Sequence, residues 1–284
     1  MGYRTKNNVT VYLEVYNEEH RLEECLQNFL WAEELVVFVK KSDDSTLSIA
    51  TQYATHVYEV DYCDASENFA TNVIKHKGRD WCLFITASSL IDPELVDEIE
   101  ILTSNPLSQY DVIGLPYAMY VFGLTGSSSP WGSKHKLGLI KRSSLVLTAT
   151  LHSEVGWVID SKVYLINNTD GRFYHCTHSN PEDFFMRHMR YVKYEASDYI
   201  DTFGERAYRV AFIDLLRSLG SVFVKRRTVY RGRDGISLSL AYVSYFLMRL
   251  IFVWHKQRGS EEPYVQMRSE AVAKWRSRLA TKSG

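Results

Sequence analysis

Residues 9–39 read VTVYLEVYNEEHRLEECLQNFLWAEELVVFV, and this stretch decides the fold. Its opening VTVYLEVY is β-branched and aromatic, the composition of a buried strand. Asn17 then opens a run in which Leu22, Cys25, Leu26, Phe29 and Leu30 recur at helical spacing. Glu18 and Glu19 fall in its first turn, where acids favour the helix dipole. The second apolar run, LVVFV at 35–39, is strand-like and ends in the polar cluster KKSDDST.

The same alternation continues outward. The pattern predicts a helix from Thr46 to Tyr53, a strand HVYEV at 56–60 and a helix over 66–77. A strand WCLFIT at 81–86 follows, then ASSLIDPEL leading into a helix over 93–103. Strand and helix alternating in this way predict a mostly parallel sheet with right-handed crossovers. Ligands of such sheets sit outside the C-terminal strand ends. The polar clusters at 16–19, 40–46 and 86–89 all fall at those ends.

From Tyr110 to about Asn180 the runs become shorter and β-rich, with a Gly/Ser-rich loop, GLTGSSSPWGSKH, at 123–135. From Pro181 the pattern turns helical. We therefore expect an α/β region over 1–180 and a basic, helical C-terminal extension over 181–284. The segment SLSLAYVSYFLMRLIFVW at 237–254 has the length of a membrane span but carries Arg249 and several Ser and Tyr. It reads as an amphipathic helix, either buried or at a membrane interface.

Composition narrows the function classes. With 45% hydrophobic and 24% charged residues the chain is core-forming. Its net charge of −1 excludes a dedicated nucleic-acid binder. The local run KRRTVYRGR at 225–233 is basic enough to suit an anionic surface or simply to be a solvated loop. The four cysteines form no CxxC pair, and no apolar leader opens the sequence, so a reduced, cytoplasmic protein is expected.

The stretch LEVYNEEHRLEECLQNFLWAEELVVFV at 13–39 resembles the opening of family 2 inverting glycosyltransferases, whose fold is called GT-A. The likeness is nearest to the branch that adds sugars to lipopolysaccharide cores. It extends through ENF at 67–69, DWCLF at 80–84, YVFG at 120–123, MRYVKYEA at 189–196 and RGRDG at 231–235. The resemblance implies a nucleotide-sugar donor and a glycan or lipid-linked acceptor, with peripheral contact at the cytoplasmic membrane face. It implies a donor site at Val15, Tyr16, Asn17 and Glu18, completed by Lys40, Lys41, Asp43 and Asp44 and by Thr86 and Ser88.

The family also carries an acid at the second strand end and an Asp-x-Asp pair that grips a divalent cation, manganese or magnesium. Here Val39 stands at the first position and Thr86-Ala87-Ser88 at the second. Hydroxyls are poor ligands for a hard dication, so no metal set is assigned and transfer with little metal help is expected. Lys134 and Lys136, on the loop expected to cover the donor, would then counter the diphosphate charge. LHSEV at 151–155 resembles the family's His-Glu motif, which makes His152 or Glu154 the expected base. HCTH at 175–178 resembles a segment that supplies a late His near the phosphates. A silent relative that binds without turnover is the alternative reading.

Overall fold

A computed structural model describes residues 7–62, 69–104, 109–126, 129–131, 134–147, 155–167, 169–259 and 261–282. Contacts divide the chain into two units, one of residues 1–126 with 131–180 and one of 181–284 with 127–130.

In the first unit β1 (Val9–Val15), α1 (Glu19–Asn28), β2 (Glu34–Lys40), α2 (Thr46–Tyr53) and β3 (His56–Val60) follow in turn. They are succeeded by α3 (Phe69–Lys75), β4 (Trp81–Phe84), β5 (Ser89–Ile91) and α4 (Pro93–Thr103). Then come β6 (Val112–Val121), β7 (His135–Lys141), the hairpin β8 (Leu145–Leu147) and β9 (Val155–Trp157), β10 (Val163–Leu165) and β11 (Phe173–Thr177). Among the described residues one nine-stranded sheet runs β3-β2-β1-β4-β7-β6-β11-β5, with β10 also paired to β6. The pairs β1–β2, β1–β4 and β2–β3 are parallel, as are β6–β10 and β6–β11. In that sheet the described antiparallel pairs are β4–β7, β6–β7 and β5–β11, and β8 and β9 pair antiparallel apart from it. This is the mostly parallel, helix-flanked α/β architecture expected from the sequence.

Strand alternation explains why both faces are covered. Val9, Val11, Leu13 and Val15 point into a core shared with Leu22, Cys25 and Leu26 of α1, and with Leu95 and Ile99 of α4. Tyr12 points the other way, into a cluster with Val36, Phe38, Cys82 and Phe84, closed by Phe69 and Val73 of α3. β6 serves three neighbours by bending at a register shift between Ile113 and Gly114. A side chain at Gly114 would meet the side-chain ends of Leu165 and Leu137, which would have to shift to admit it.

The second unit is helical: α5 (Pro181–Phe203), α6 (Ala207–Gly220), α7 (Gly232–Arg258) and α8 (Glu261–Lys282). Ala196, Ala207, Ala211, Leu250 and Val253 make its small core. The helix expected at 237–254 is longer at both ends, because Gly259 in left-handed conformation closes it only after Arg258. By length and composition α7 could cross a membrane. Its Arg249, however, is buried between Glu195 and Asp214 at 3.4 and 3.5 Å and stacks over Tyr199 and Phe246.

Candidate active site

The winding of the sheet creates the site. From β1 the chain moves outward through β2 to β3, then returns across β1 to β4 on its other side. Ligands bind where the winding direction reverses, outside the C-terminal ends of the two flanking strands. Those ends are Val15–Tyr16 and Phe84–Thr86.

Three polar segments converge there. The backbone amides of Asn17, Glu18 and Glu19 donate to Ser42 Oγ, Thr46 Oγ1 and Asp44 Oδ2, at 3.2, 2.8 and 3.1 Å. In return the amides of Asp43 and Ser45 donate to Asn17 Oδ1 and Glu19 Oε2. The first two loops are thus laced together by their own side chains. Asn17 does this from a left-handed backbone (φ 51°) rather than by capping α1, a conformation that Asn tolerates better than most residues.

The third segment is joined to the first through Cys25, whose Sγ donates to the Thr86 carbonyl. Thr86 Oγ1 and Ser88 Oγ lie 2.8 Å apart and share a third partner, His175 Nδ1, at 3.3 and 3.2 Å. The register of β11 on β5 sets His175 opposite Ser89, which brings the imidazole to this corner. Burial pushes the Cys25 thiol up to about 12, so it serves as packing and donor, not as a nucleophile.

Several expected donor residues are engaged elsewhere. Lys40 Nζ reaches back along the sheet to Glu14 Oε2 at 2.7 Å, and Lys41 Nζ pairs with Asp61 at 2.6 Å on the surface. The cause is geometric. Lys40 shares a sheet face with Glu14 on the neighbouring strand, and burial of both side chains favours the pair. Glu18 forms a two-pronged bond to Arg21 Nε and Nη2 at 2.6 and 2.8 Å. Asp44 accepts from the Thr46 amide at 3.0 Å. Partial burial works against its charge, but hydrogen bonds from Thr46 and Glu19 outweigh it and hold the carboxyl below its ordinary range. Asp92 sits at the head of α4, yet its carboxylate accepts from the Arg172 amide and the Tyr174 hydroxyl instead of capping the helix.

Lys136 is placed differently from the sequence expectation. Residues 135–141 form β7, so this lysine stands on a strand and not on a covering loop. Its Nζ lies 3.2 Å from the carbonyl of Phe84, the last residue of β4, and 4.6 Å from the Phe173 ring centroid. Neither partner carries charge. Desolvation alone drives the ammonium down to about 8. Lys134 is exposed, its carbonyl accepting from the Tyr117 amide. Lys134, His135, Tyr117 and Arg172 help line a cleft of about 320 Å³ in the same unit. His152 and Glu154 lie outside the described residues.

The donor set at the strand end, two hydroxyls and one imidazole, does not fit a hard dication, which takes carboxylate and other oxygen ligands. A separate cluster, Glu34, His56 and His76, lies at the opposite strand ends. There Arg79 and Thr10 already engage Glu34, at 3.1 and 2.9 Å.

No family model matches the chain. The solved structures that resemble it are remote. One is S. aureus TarS 1-349 in complex with UDP, 13% identical, covering 89% of this chain and 92% of that one at a TM-score of 0.46. A longer S. aureus TarS is 13% identical, TM-score 0.43, covering 76% of this chain and 44% of its own. Glucosyl-3-phosphoglycerate synthase from Mycobacterium tuberculosis, with Mn2+ and UDP-glucose, is 17% identical over 41% of this chain and 44% of that one, TM-score 0.30. The chain therefore spans less than half the length of the last two. Scores this low decide nothing about function, and the fold rests on strand order and register.

Proposed function

We propose that this protein transfers a sugar from a nucleotide-diphosphate donor to a hydroxyl of a glycan or lipid-linked acceptor, inverting the anomeric carbon. The single observation that carries the reading is Lys136, a desolvated cation at the end of β4 whose partners among the described residues are a carbonyl and an aromatic face. A desolvated charge without a counter-charge is costly. A diphosphate entering the reversal point of the sheet supplies the missing charge, and supplies it most strongly as the leaving group gains its negative charge.

In the proposed reaction the acceptor oxygen bonds to the anomeric carbon while the bond from that carbon to the diphosphate oxygen breaks. The acceptor proton passes to His152 or Glu154. The nucleoside diphosphate departs with the electron pair, held by Lys136 and by hydrogen bonds from Thr86, Ser88 and His175. A divalent cation has no carboxylate pair at residues 86 and 88 to hold it, so the reading includes weak metal dependence. It sets the protein in the cytoplasm or at the cytoplasmic membrane face, with no nucleic-acid partner.

A donor panel of nucleotide sugars with and without chelator tests this. Turnover that survives chelator is the expected result, and a folded sample inert toward every donor overturns it. The loss of acids at 39, 86 and 88 favours a second reading, a silent binder. That reading predicts stabilisation by a partner or glycan and none by UDP in a thermal-shift assay.

A further inference from the structure

The helical unit holds a second cavity, of about 330 Å³, walled by Leu219 and Val222 on one side and by Tyr230, Ile236, Leu240 and Val243 on the other. Roughly 300–1,000 Å³ is the range of small-molecule sites. Its lining is almost wholly apolar, and much of it is open: Tyr230 and Leu240 are each 66% exposed. From there Leu247, Ile251 and Trp254 continue an exposed apolar stripe along α7 at helical spacing, about 27 Å from Ile236 to Trp254. Exposed apolar surface of this extent marks an interaction site.

Charge says what the occupant is. The segment 225–233 that supplies Tyr230 to the cavity wall also carries Lys225, Arg226, Arg227, Arg231 and Arg233, all exposed. Gly235 locks this segment onto the first turn of α7, since any side chain there would strike the Thr228 carbonyl. Five cations at the mouth of an apolar cleft complement an anionic head attached to an acyl chain. The buried Arg249, held by Glu195 and Asp214, ties α7 into the helical unit, so the stripe meets a bilayer side-on and does not cross it.

We propose that the Leu219–Val243 cavity takes an acyl chain of an anionic membrane lipid, the 225–233 cations binding its headgroup while the α7 stripe rests in the interface. The proposal stands on the helical unit alone and is independent of sugar transfer. The test uses the full chain and sucrose-loaded vesicles of phosphatidylcholine with or without 30% phosphatidylglycerol, a composition chosen to be roughly that of an anionic leaflet. Expected is sedimentation with anionic vesicles only, weakened by salt. Brominated acyl chains should quench fluorescence by a component absent in Trp254→Phe.

Arg231→Glu with Arg233→Glu, acids that suit the first turn of a helix, should weaken partition by about 25-fold or more, near fivefold per lost cation. Val243→Trp fills the cleft, and Leu240→Asp, at an exposed position, serves where that variant unfolds. Val243→Trp should lower partition at equal charge, and Leu240→Asp, which also adds one negative charge, should lower it by more than the roughly fivefold expected of that charge alone. Equal binding to neutral vesicles, indifference to the charge reversal, or capture of an acidic peptide with no vesicle binding would each overturn the proposal.

Discussion

Arg249 in the helical unit is buried and Lys136 in the sheet unit is half-buried and desolvated, and the protein treats the two cations in opposite ways. Arg249 has two carboxylates and three aromatic rings around it. The carboxylates are themselves bonded, Glu195 by the Tyr245 hydroxyl and Asp214 by the Tyr199 hydroxyl at 2.7 Å. Lys136 has a carbonyl and a ring. A compensated charge fixes a structure, whereas an uncompensated one is a standing cost that a bound anion can remove.

The largest effect expected is therefore structural. Arg249→Met strands Glu195 and Asp214 in the helical core, and breaking a buried pair of this kind costs about 3–5 kcal/mol. Urea unfolding followed by circular dichroism should show it. Lys136→Met should do the reverse and leave stability unchanged or raised, by up to about 3 kcal/mol, since it removes a desolvated charge. Comparable losses in both variants would erase the contrast.

Next in size is the effect on ligand. If a diphosphate is the anion Lys136 awaits, Lys136→Met should weaken UDP binding about 10- to 100-fold, the worth of a charge-assisted hydrogen bond. Calorimetry of the folded variant reads this directly. Unchanged affinity would assign the lysine to the fold alone.

The sequence made the frame legible because the frame is local. The strands at 9–15, 34–40 and 56–60 and the helices Thr46–Tyr53 and 93–103 follow runs whose period and flanking polar residues are visible in the chain itself. The three strand-end clusters were legible for the same reason. What the chain could not display is partnership. Nothing near Lys40 announces Glu14, 26 residues earlier and one strand across. The loop signal of GLTGSSSPWGSKH hid the start of β7 at His135, so Lys136 was expected on a flexible cover. His175 reached Thr86 and Ser88 only through the β5–β11 register, a pairing of segments more than 80 residues apart. The polarity of the strand ends is written in sequence, but the compensation of each charge is written in tertiary structure.

A smaller effect sharpens the contrast through protons. Lys136 titrates at about 8 in the fold against an ordinary value of 10.5. Between those values the unfolded chain binds a proton that the folded chain lacks, so stability rises with pH across this window and is flat below it. The rise should vanish in Lys136→Met. A bound diphosphate restores the proton, so UDP binding at pH 9 should take up a fraction of one proton. Calorimetry in two buffers of different ionisation enthalpy measures that uptake, and zero uptake would separate the lysine from the phosphates.

The smallest change concerns the metal. Thr86→Asp with Ser88→Asp puts carboxylates beside His175, where the native chain offers two hydroxyls. Oxygen ligands of that kind suit a hard dication, and the nearby ammonium of Lys136 opposes one by like charge. The net gain should be modest, with manganese raising UDP affinity by less than about tenfold in the double variant, near 1 kcal/mol. Combining the acids with Lys136→Met removes the repulsion, so the manganese effect should grow while metal-free binding falls. A native protein already stabilised by manganese with UDP would mean that a divalent cation, and not the desolvated lysine, meets the diphosphate charge.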